Sequence, residues 1–176
     1  EIEIDGHKFY PERLCVDHLN RIIASDAVNH RIMIFDHLGN HLLSFESRGR
    51  EKGQLNHPYG VTVNSLNNII VCDSYNHRIQ IFDEKGNHLL SFGSEGKEKG
   101  QFDDPYGVTV DHHDNIIVPD MGNDRIQVFD PRGKWIKSFG SEGKGEGQFR
   151  TPQGITVDHL NRIIVCDFEN HRVQIL

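Results

Sequence analysis

The chain has 176 residues, 36% of them hydrophobic, and a formal net charge of -7 from 19 Lys and Arg against 26 Asp and Glu. That length supports one well-buried core and is short for two, so residues 1–176 are read as a single domain. The acidic balance gives no domain-wide positive field for phosphate backbones or anionic lipid. Apolar runs stop at four or five residues, as at Ile69 to Cys72, and no basic-then-apolar leader opens the chain, so no membrane association is expected. Cys15, Cys72 and Cys166 are an odd number without C-x-x-C spacing, which fits a reducing compartment, the cytoplasm, and three small core residues.

The opening Glu1-Ile2-Glu3-Ile4 alternates as a half-covered edge strand does. From Pro11 the chain repeats itself, since a shift of 47 residues carries Pro11 onto Pro58, Pro105 and Pro152. The same shift superposes Asp26, Asp73, Asp120 and Asp167, and the pairs Asn29/Arg31, Asn76/Arg78, Asn123/Arg125 and Asn170/Arg172. The units are 11–57, 58–104, 105–151 and 152–176. Within the second, short strands are predicted at Gly60 to Asn64, Asn68 to Asp73, His77 to Asp83 and His88 to Phe92. Asp83 to Asn87 and Asp130 to Lys134 predict turns ending in a left-handed glycine, which makes the flanking strands antiparallel neighbours. Gly93 to Asp104, rich in Gly, Lys and Glu, predicts a surface connector between units.

Four antiparallel strands per unit cannot bury their own faces, so the units must stack around an axis. The fold class expected is all-β, a β-propeller of four blades. The recurring Pro-Tyr-Gly-Val-Thr-Val, Ile-Ile-Val-Cys-Asp, Asn-His-Arg-Ile-Gln-Ile-Phe-Asp and Ser-Phe-Gly-Ser motifs resemble NHL repeats over residues 11–176. The third unit departs, with Asp124 in place of the His, and the first has Glu12-Arg13 where others have Tyr-Gly or Gln-Gly. The resemblance implies the C-terminal propeller of tripartite-motif ubiquitin ligases, with any ligase chemistry in other segments, and rings that are more often six-bladed. The fourth unit stops after its third strand, and residues 1–4 are expected to supply the missing one. The expected assemblies are a monomeric four-bladed ring or a homodimer sharing a larger ring.

The Asp and Arg of each unit face each other across a hairpin and read as structural cross-strand pairs at a blade corner, worth about 0.2–1 kcal/mol each. The 12 histidines read as scattered over separate blades, converging only near the axis, so no metal site and no cofactor is expected. No G-x-S-x-G, H-E-x-x-H or Walker motif is present. Framework positions repeat while loop positions vary. Two sets of loops open on one face and place there Glu12, Val28, Tyr59, Tyr75, Tyr106, Met121, Gln153, Phe168 and Glu169, an apolar and aromatic cluster with an acidic margin. The expectation is a non-enzymatic scaffold taking a protein or peptide on that face. An RNA-binding face with Tyr59, Tyr75, Tyr106 and Phe168 stacking bases is the alternative. A third reading is an excised or designed array with no evolved ligand, suggested by the gapless units, the absence of an initiating Met and ends inside a blade.

Overall fold

Runs of β-branched residues bounded by Asp, Asn and Gly favour short strands and tight turns. The computed structural model, which describes residues 3–4 and 7–176, consists of little else. β1 (Glu3–Ile4) pairs with β2 (His7–Lys8). The first blade is β3 (Pro11–Val16), β4 (Ile22–Asp26), β5 (Arg31–Phe35) and β6 (His41–Glu46), and the second is β7 (Pro58–Val63), β8 (Ile69–Asp73), β9 (Arg78–Phe82) and β10 (His88–Phe92). The third is β11 (Thr109–Val110), β12 (Ile116–Asp120), β13 (Arg125–Phe129) and β14 (Trp135–Phe139), and the fourth is β15 (Pro152–Val157), β16 (Ile163–Asp167) and β17 (Arg172–Ile175). Every pairing within a blade is antiparallel and sequential. The four innermost strands line one axial channel of about 370 Å³, through Arg13 to Cys15, Gly60 to Thr62, Gly107 to Thr109 and Gly154 to Thr156. The protein is an all-β propeller of four blades around one axis.

Gly39, Gly86 and Gly133 close the outer hairpins with φ of +86°, +83° and +77°, the left-handed conformation expected of them. Gly60 and Gly107 serve a different purpose. A Cβ on Gly60 would lie 2.7 Å from the Tyr106 carbonyl oxygen, and one on Gly107 would lie 2.4 Å from that of Gln153, so the inner strands approach as closely as they do because no side chain intervenes.

The core lies between blades. Ile23, Ile32 and Ile34 of the first blade meet Val61, Ile69, Val71 and Phe82 of the second, with Leu55 of the connector between them. Ile70, Cys72, Ile79 and Ile81 meet Phe102, Val108, Ile116, Val118 and Phe129 at the next junction. Ile117, Ile126 and Val128 meet Phe149 and Val165 at the third. The Ile69 to Cys72 run is apolar throughout because its two faces serve two junctions.

Two expectations change. The N-terminal strand does not complete the fourth blade: β1 turns back onto β2, and the fourth sheet has three strands, while residues 1 and 2 lie outside those described. The cysteines are free but differ, Cys72 being buried, Cys15 half-buried and Cys166 exposed, because no blade covers that face of the fourth. Pro119 forces no bulge against β13, where it pairs with Ile126 in unbroken register. It has no N–H to donate, and β11 beside it is the shortest inner strand.

Candidate functional site

The loops on one face are shaped by a left-handed residue after each second strand. In the second blade Ser74–Asn76 form a single 3-10 turn capped by His77 at φ 51°, and Asp124 and His171 cap the equivalent turns at 51° and 52°. His30 occupies the same place in the first blade at φ 56°. Asn, Asp and His tolerate this region best among residues with a side chain. The connector leading to the next blade carries a second left-handed residue just before its proline, namely His57, Asp104 and Thr151.

These two positions meet across each junction. The backbone N–H of His57 donates to His30 Nδ1 at 3.0 Å, that of Asp104 to His77 Nδ1 at 3.3 Å, and that of Thr151 to Asp124 Oδ1 at 2.8 Å. Each is a latch between neighbouring blades, formed by residues 27 apart. A backbone donor fixes the tautomer, so neutral His77 carries its proton on Nε2.

At the junction of the second and third blades the latch carries more than a hydrogen bond. His77, Asp103 and Asp104 each offer one ligand atom, and the three lie within 4.8 Å of one another. All three side chains are half-buried. Burial pushes the Asp104 carboxyl above the usual carboxylate range; His77 opposes that, while Asp103 and Glu95 add to it. The Asp103 carboxylate rests against Gly122, where a Cβ would fall 2.7 Å from its Cγ. A cleft of about 340 Å³ opens beside His77, with Arg50, Tyr75, Arg78 and Glu95 in its wall. One imidazole and two carboxylates are the type of set that could hold a divalent cation of the Zn²⁺ or Mn²⁺ kind, which would require the His77 ring to give up the latch at Nδ1 or to move its proton from Nε2 to Nδ1.

Next to this group the bulge at Tyr59-Gly60, where the β7 register shifts between Pro58 and Val61, aims the tyrosine into the loop face. Tyr59 stacks on Tyr106 with ring centres 4.6 Å apart, Tyr75 lies 6.4 Å from Tyr59, and His57 lies 4.3 Å from Tyr75. The Arg13 guanidinium covers the outer face of Tyr106 at 5.1 Å. Burial pushes the Tyr59 hydroxyl up to about 12, helped by Tyr75, Tyr106 and Glu12. Glu12, Tyr59, Tyr75 and Tyr106 are thus brought together. Phe168 and Val28 are exposed on other blades, Glu169 is exposed beside Phe168, and Met121 and Gln153 are half-buried. Among the described residues neither Phe168 nor any residue of the fourth blade makes a ring contact with the tyrosines.

The Asp and Arg pairs are structural, as read from the repeat, and their carboxylates lie in the interior. Asp26, Asp73, Asp120 and Asp167 are fully buried. Arg78 donates through Nε to Asp73 at 2.7 Å, and its remaining nitrogens reach the carbonyls of Arg50, Glu51 and Gln54 in the connector before its blade. Arg125 and Arg172 repeat the arrangement on Lys97, Glu98 and Gln101 and on Lys144, Gly145 and Gln148. They are connector clamps, with no substrate-facing role.

The expectation that potential ligand residues of different blades converge only near the axis does not hold at this junction, for a topological reason. The connector leaving one blade crosses to the next, so a residue just before the proline of one blade touches the hairpin of the blade before it. The signal in the sequence was the pair Asp103-Asp104, which stands where the other units have Asn56-His57 and Arg150-Thr151.

A family model described as the NHL repeat matches residues 55–82 and 149–176. No curated protein matches. Among solved structures, a streptogramin B lyase shares 18% identity at a TM-score of 0.73, covering 94% of this chain and 51% of that one. A catalytically inactive His-to-Ala variant of virginiamycin B lyase from Staphylococcus aureus, with quinupristin, shares 15% at a TM-score of 0.76, covering 99% and 54%. Hydrazine synthase of Kuenenia stuttgartiensis shares 13% at 0.67, covering 99% and 53%. The chain spans about half the length of these proteins, and at such identities the likeness is one of fold. What the motifs implied about tripartite-motif ligases has no counterpart in these matches. The expectation of a non-enzymatic scaffold is overturned: it rested on finding no acid, base or metal set, whereas His77, Asp103 and Asp104 gather into a group that could hold an ion, on a fold shared with lyases. The chain is a β-propeller of four blades in which residues 55–82 and 149–176 match the NHL repeat.

Proposed function

We propose that this chain is the propeller of a metal-assisted enzyme of the lyase or hydrolase type, with its centre at the junction of the second and third blades. The observation that carries this reading is the convergence of His77, Asp103 and Asp104 within 4.8 Å at the edge of a cleft. Asp103 and Asp104 would hold a divalent cation together with His77. Such an ion, when bound, supplies Lewis acidity to a substrate oxygen. The rest is the work of the chain's own residues. Tyr59, Tyr75 and Tyr106 form a stacked apolar wall on the same face, against which a ring-bearing substrate lies flat. Arg50 lines the cleft and favours a polarised or anionic group there. The acidic overall charge suits a cation-dependent site better than one for a polyanion. That solved lyases use this fold, one of them inactivated by loss of a histidine, supports the class of reaction and leaves the substrate open.

The test is calorimetric titration of the purified chain with Mn²⁺ and with Zn²⁺. One equivalent is expected to bind, and Asp103→Asn combined with Asp104→Asn is expected to abolish binding without changing the circular dichroism. Wild-type protein that takes up neither ion at millimolar concentration would refute the centre.

A further inference from the structure

The three internal junctions are built alike on the site face but differ in charge. Between the second and third blades the cleft wall includes His77 and Glu95, and Asp103 and Asp104 stand beside His77. Moved on by 47 residues, the same four positions hold Asp124, Glu142, Arg150 and Thr151, and Arg150 Nη2 lies 3.6 Å from Glu142 Oε1, so that junction compensates its own charge. Moved back by 47, they hold His30, Arg48, Asn56 and His57. The first junction therefore has no acid at any of the four positions, and a guanidinium where the other two have a glutamate.

These side chains are close together. The imidazoles of His30 and His57 meet edge to face with centres 4.6 Å apart, and the His57 ring lies 4.3 Å from Tyr75, a residue of the neighbouring cleft wall. His30 is buried, His57 half-buried and Arg48 exposed. Burial lowers the pKa of both imidazoles, and the positive charge of Arg48 lowers each further, which sets the guanidinium near both rings. Asp26, the carboxylate that acts on His30 in the opposite sense, is buried and held by Arg31 Nε at 2.9 Å and Asn29 Nδ2 at 2.8 Å. The latch from His57 N–H occupies His30 Nδ1, so neutral His30 carries its proton on Nε2, as a donor. Among the described residues His30 Nε2, the ring nitrogens of His57 and the Arg48 guanidinium have no hydrogen-bond partner, and Arg48 has no ion-pair partner.

We infer that the first junction is an oxyanion site, in which the Arg48 guanidinium, His30 Nε2–H and the His57 ring together take a phosphate or carboxylate group of a small molecule, on the same face as the candidate cation centre and one junction away from it. Guanidinium and imidazole N–H groups recognise such oxygens through charge-assisted hydrogen bonds. Three nitrogen bases gathered without a carboxylate of their own repel one another as they charge, and a bound oxyanion offsets that repulsion. The site stands on these residues alone; that its anion is part of the substrate of the proposed enzyme rests on that reading.

Nuclear magnetic resonance titration of the whole chain with inorganic phosphate, and separately with acetate, at constant pH and ionic strength, tests this. The ring resonances of His30 and His57 are expected to move together and saturate at millimolar concentration, while those of His18 and His159, in loops of the opposite face, stay in place. Saturation by phosphate alone would assign a tetrahedral group and saturation by acetate alone a planar one, each in support. Arg48→Glu, which puts at an exposed position the residue found at the other two junctions, should weaken binding by about tenfold or more with an unchanged β-sheet spectrum, the loss expected for one charge-assisted hydrogen bond. Arg48→Lys, which keeps the charge, should lose less. Asp103→Asn combined with Asp104→Asn should leave the histidine response intact, so failure of the cation centre and failure of this site are read separately. No saturable movement with either anion, equal binding in Arg48→Glu, or a response shared by the histidines of both faces would overturn the inference.

Discussion

A single position per blade shows how far one residue can reach. His30, His77 and Asp124 take the same left-handed conformation and accept the same backbone N–H, so imidazole and carboxylate are interchangeable as latches. They are not interchangeable on acidification. Burial holds the His30 ring below its ordinary pKa of about 6.5, reinforced by His57 and Arg48, and burial followed by Arg48 does the same to His57. A histidine whose folded pKa is lowered favours the neutral form, so its contribution is whole above about pH 6.5 and is lost as pH falls below it. Melting temperature should drop between pH 7.5 and 5.5, and His30→Asn, which keeps an acceptor and tolerates the backbone, should shrink that drop. An equal drop in the variant would mean that His30 plays no part. The glycines of the inner strands give a second residue-scale prediction. Gly107→Ala places a methyl 2.4 Å from the Gln153 carbonyl oxygen and should destabilise by about 1–3 kcal/mol in urea unfolding.

The element that the sequence leaves most underdetermined is the connector. Its composition reads as flexible surface chain, yet its carbonyls are held by one Arg, one Asn and one Gln of the following blade. Gln80 Nε2 donates to both the Gln54 carbonyl and Asp73, and its Oε1 accepts from Gly53 N–H. Gln127 and Gln174 do the same on their own connectors. In the first blade the equivalent residue is Met33, which packs with Ala24 and Phe35. That replacement was visible as an irregularity in the repeat, but only the path of the connector explains it. Arg78→Lys keeps the charge and loses the planar fork that spans three carbonyls. It should cost about 1–3 kcal/mol and raise hydrogen exchange at residues 50–54, with residues 97–101 unchanged. The buried aspartates differ along the chain in a related way. Burial raises the carboxyls of Asp73 and Asp120, whereas at Asp167 burial is outweighed by donors from Arg150, Asn170 and Arg172, and the carboxyl is lowered. The fourth blade, bare on one side, desolvates its aspartate less than the second and third blades desolvate theirs.

For the molecule as a whole, stability resides at junctions, because a blade has no interior of its own. Three internal junctions are filled by apolar clusters from both neighbours, and the outward faces of the first and fourth blades carry the same pattern unfilled. The candidate centre lies at an internal junction, between the second and third blades.

By itself the sequence determined what is local and periodic. The 47-residue repeat, the order of strands, the glycine turns and the alternation that assigns Val61 and Val63 to one face follow from spacing and backbone preference, which need no knowledge of the rest of the chain. The tertiary structure alone decided what crosses from one blade to the next. His77 and the Asp103-Asp104 pair are 26 and 27 residues apart, in loops that read separately as a hairpin and a connector, and only the stacking angle of the blades brings them within reach. The fate of the N-terminal strand was undecidable for the same reason, since an edge strand pairs with whichever edge is nearest. Dihedral preferences act within a few residues along the chain, whereas a site at a junction is fixed by packing between units that the chain visits one after another.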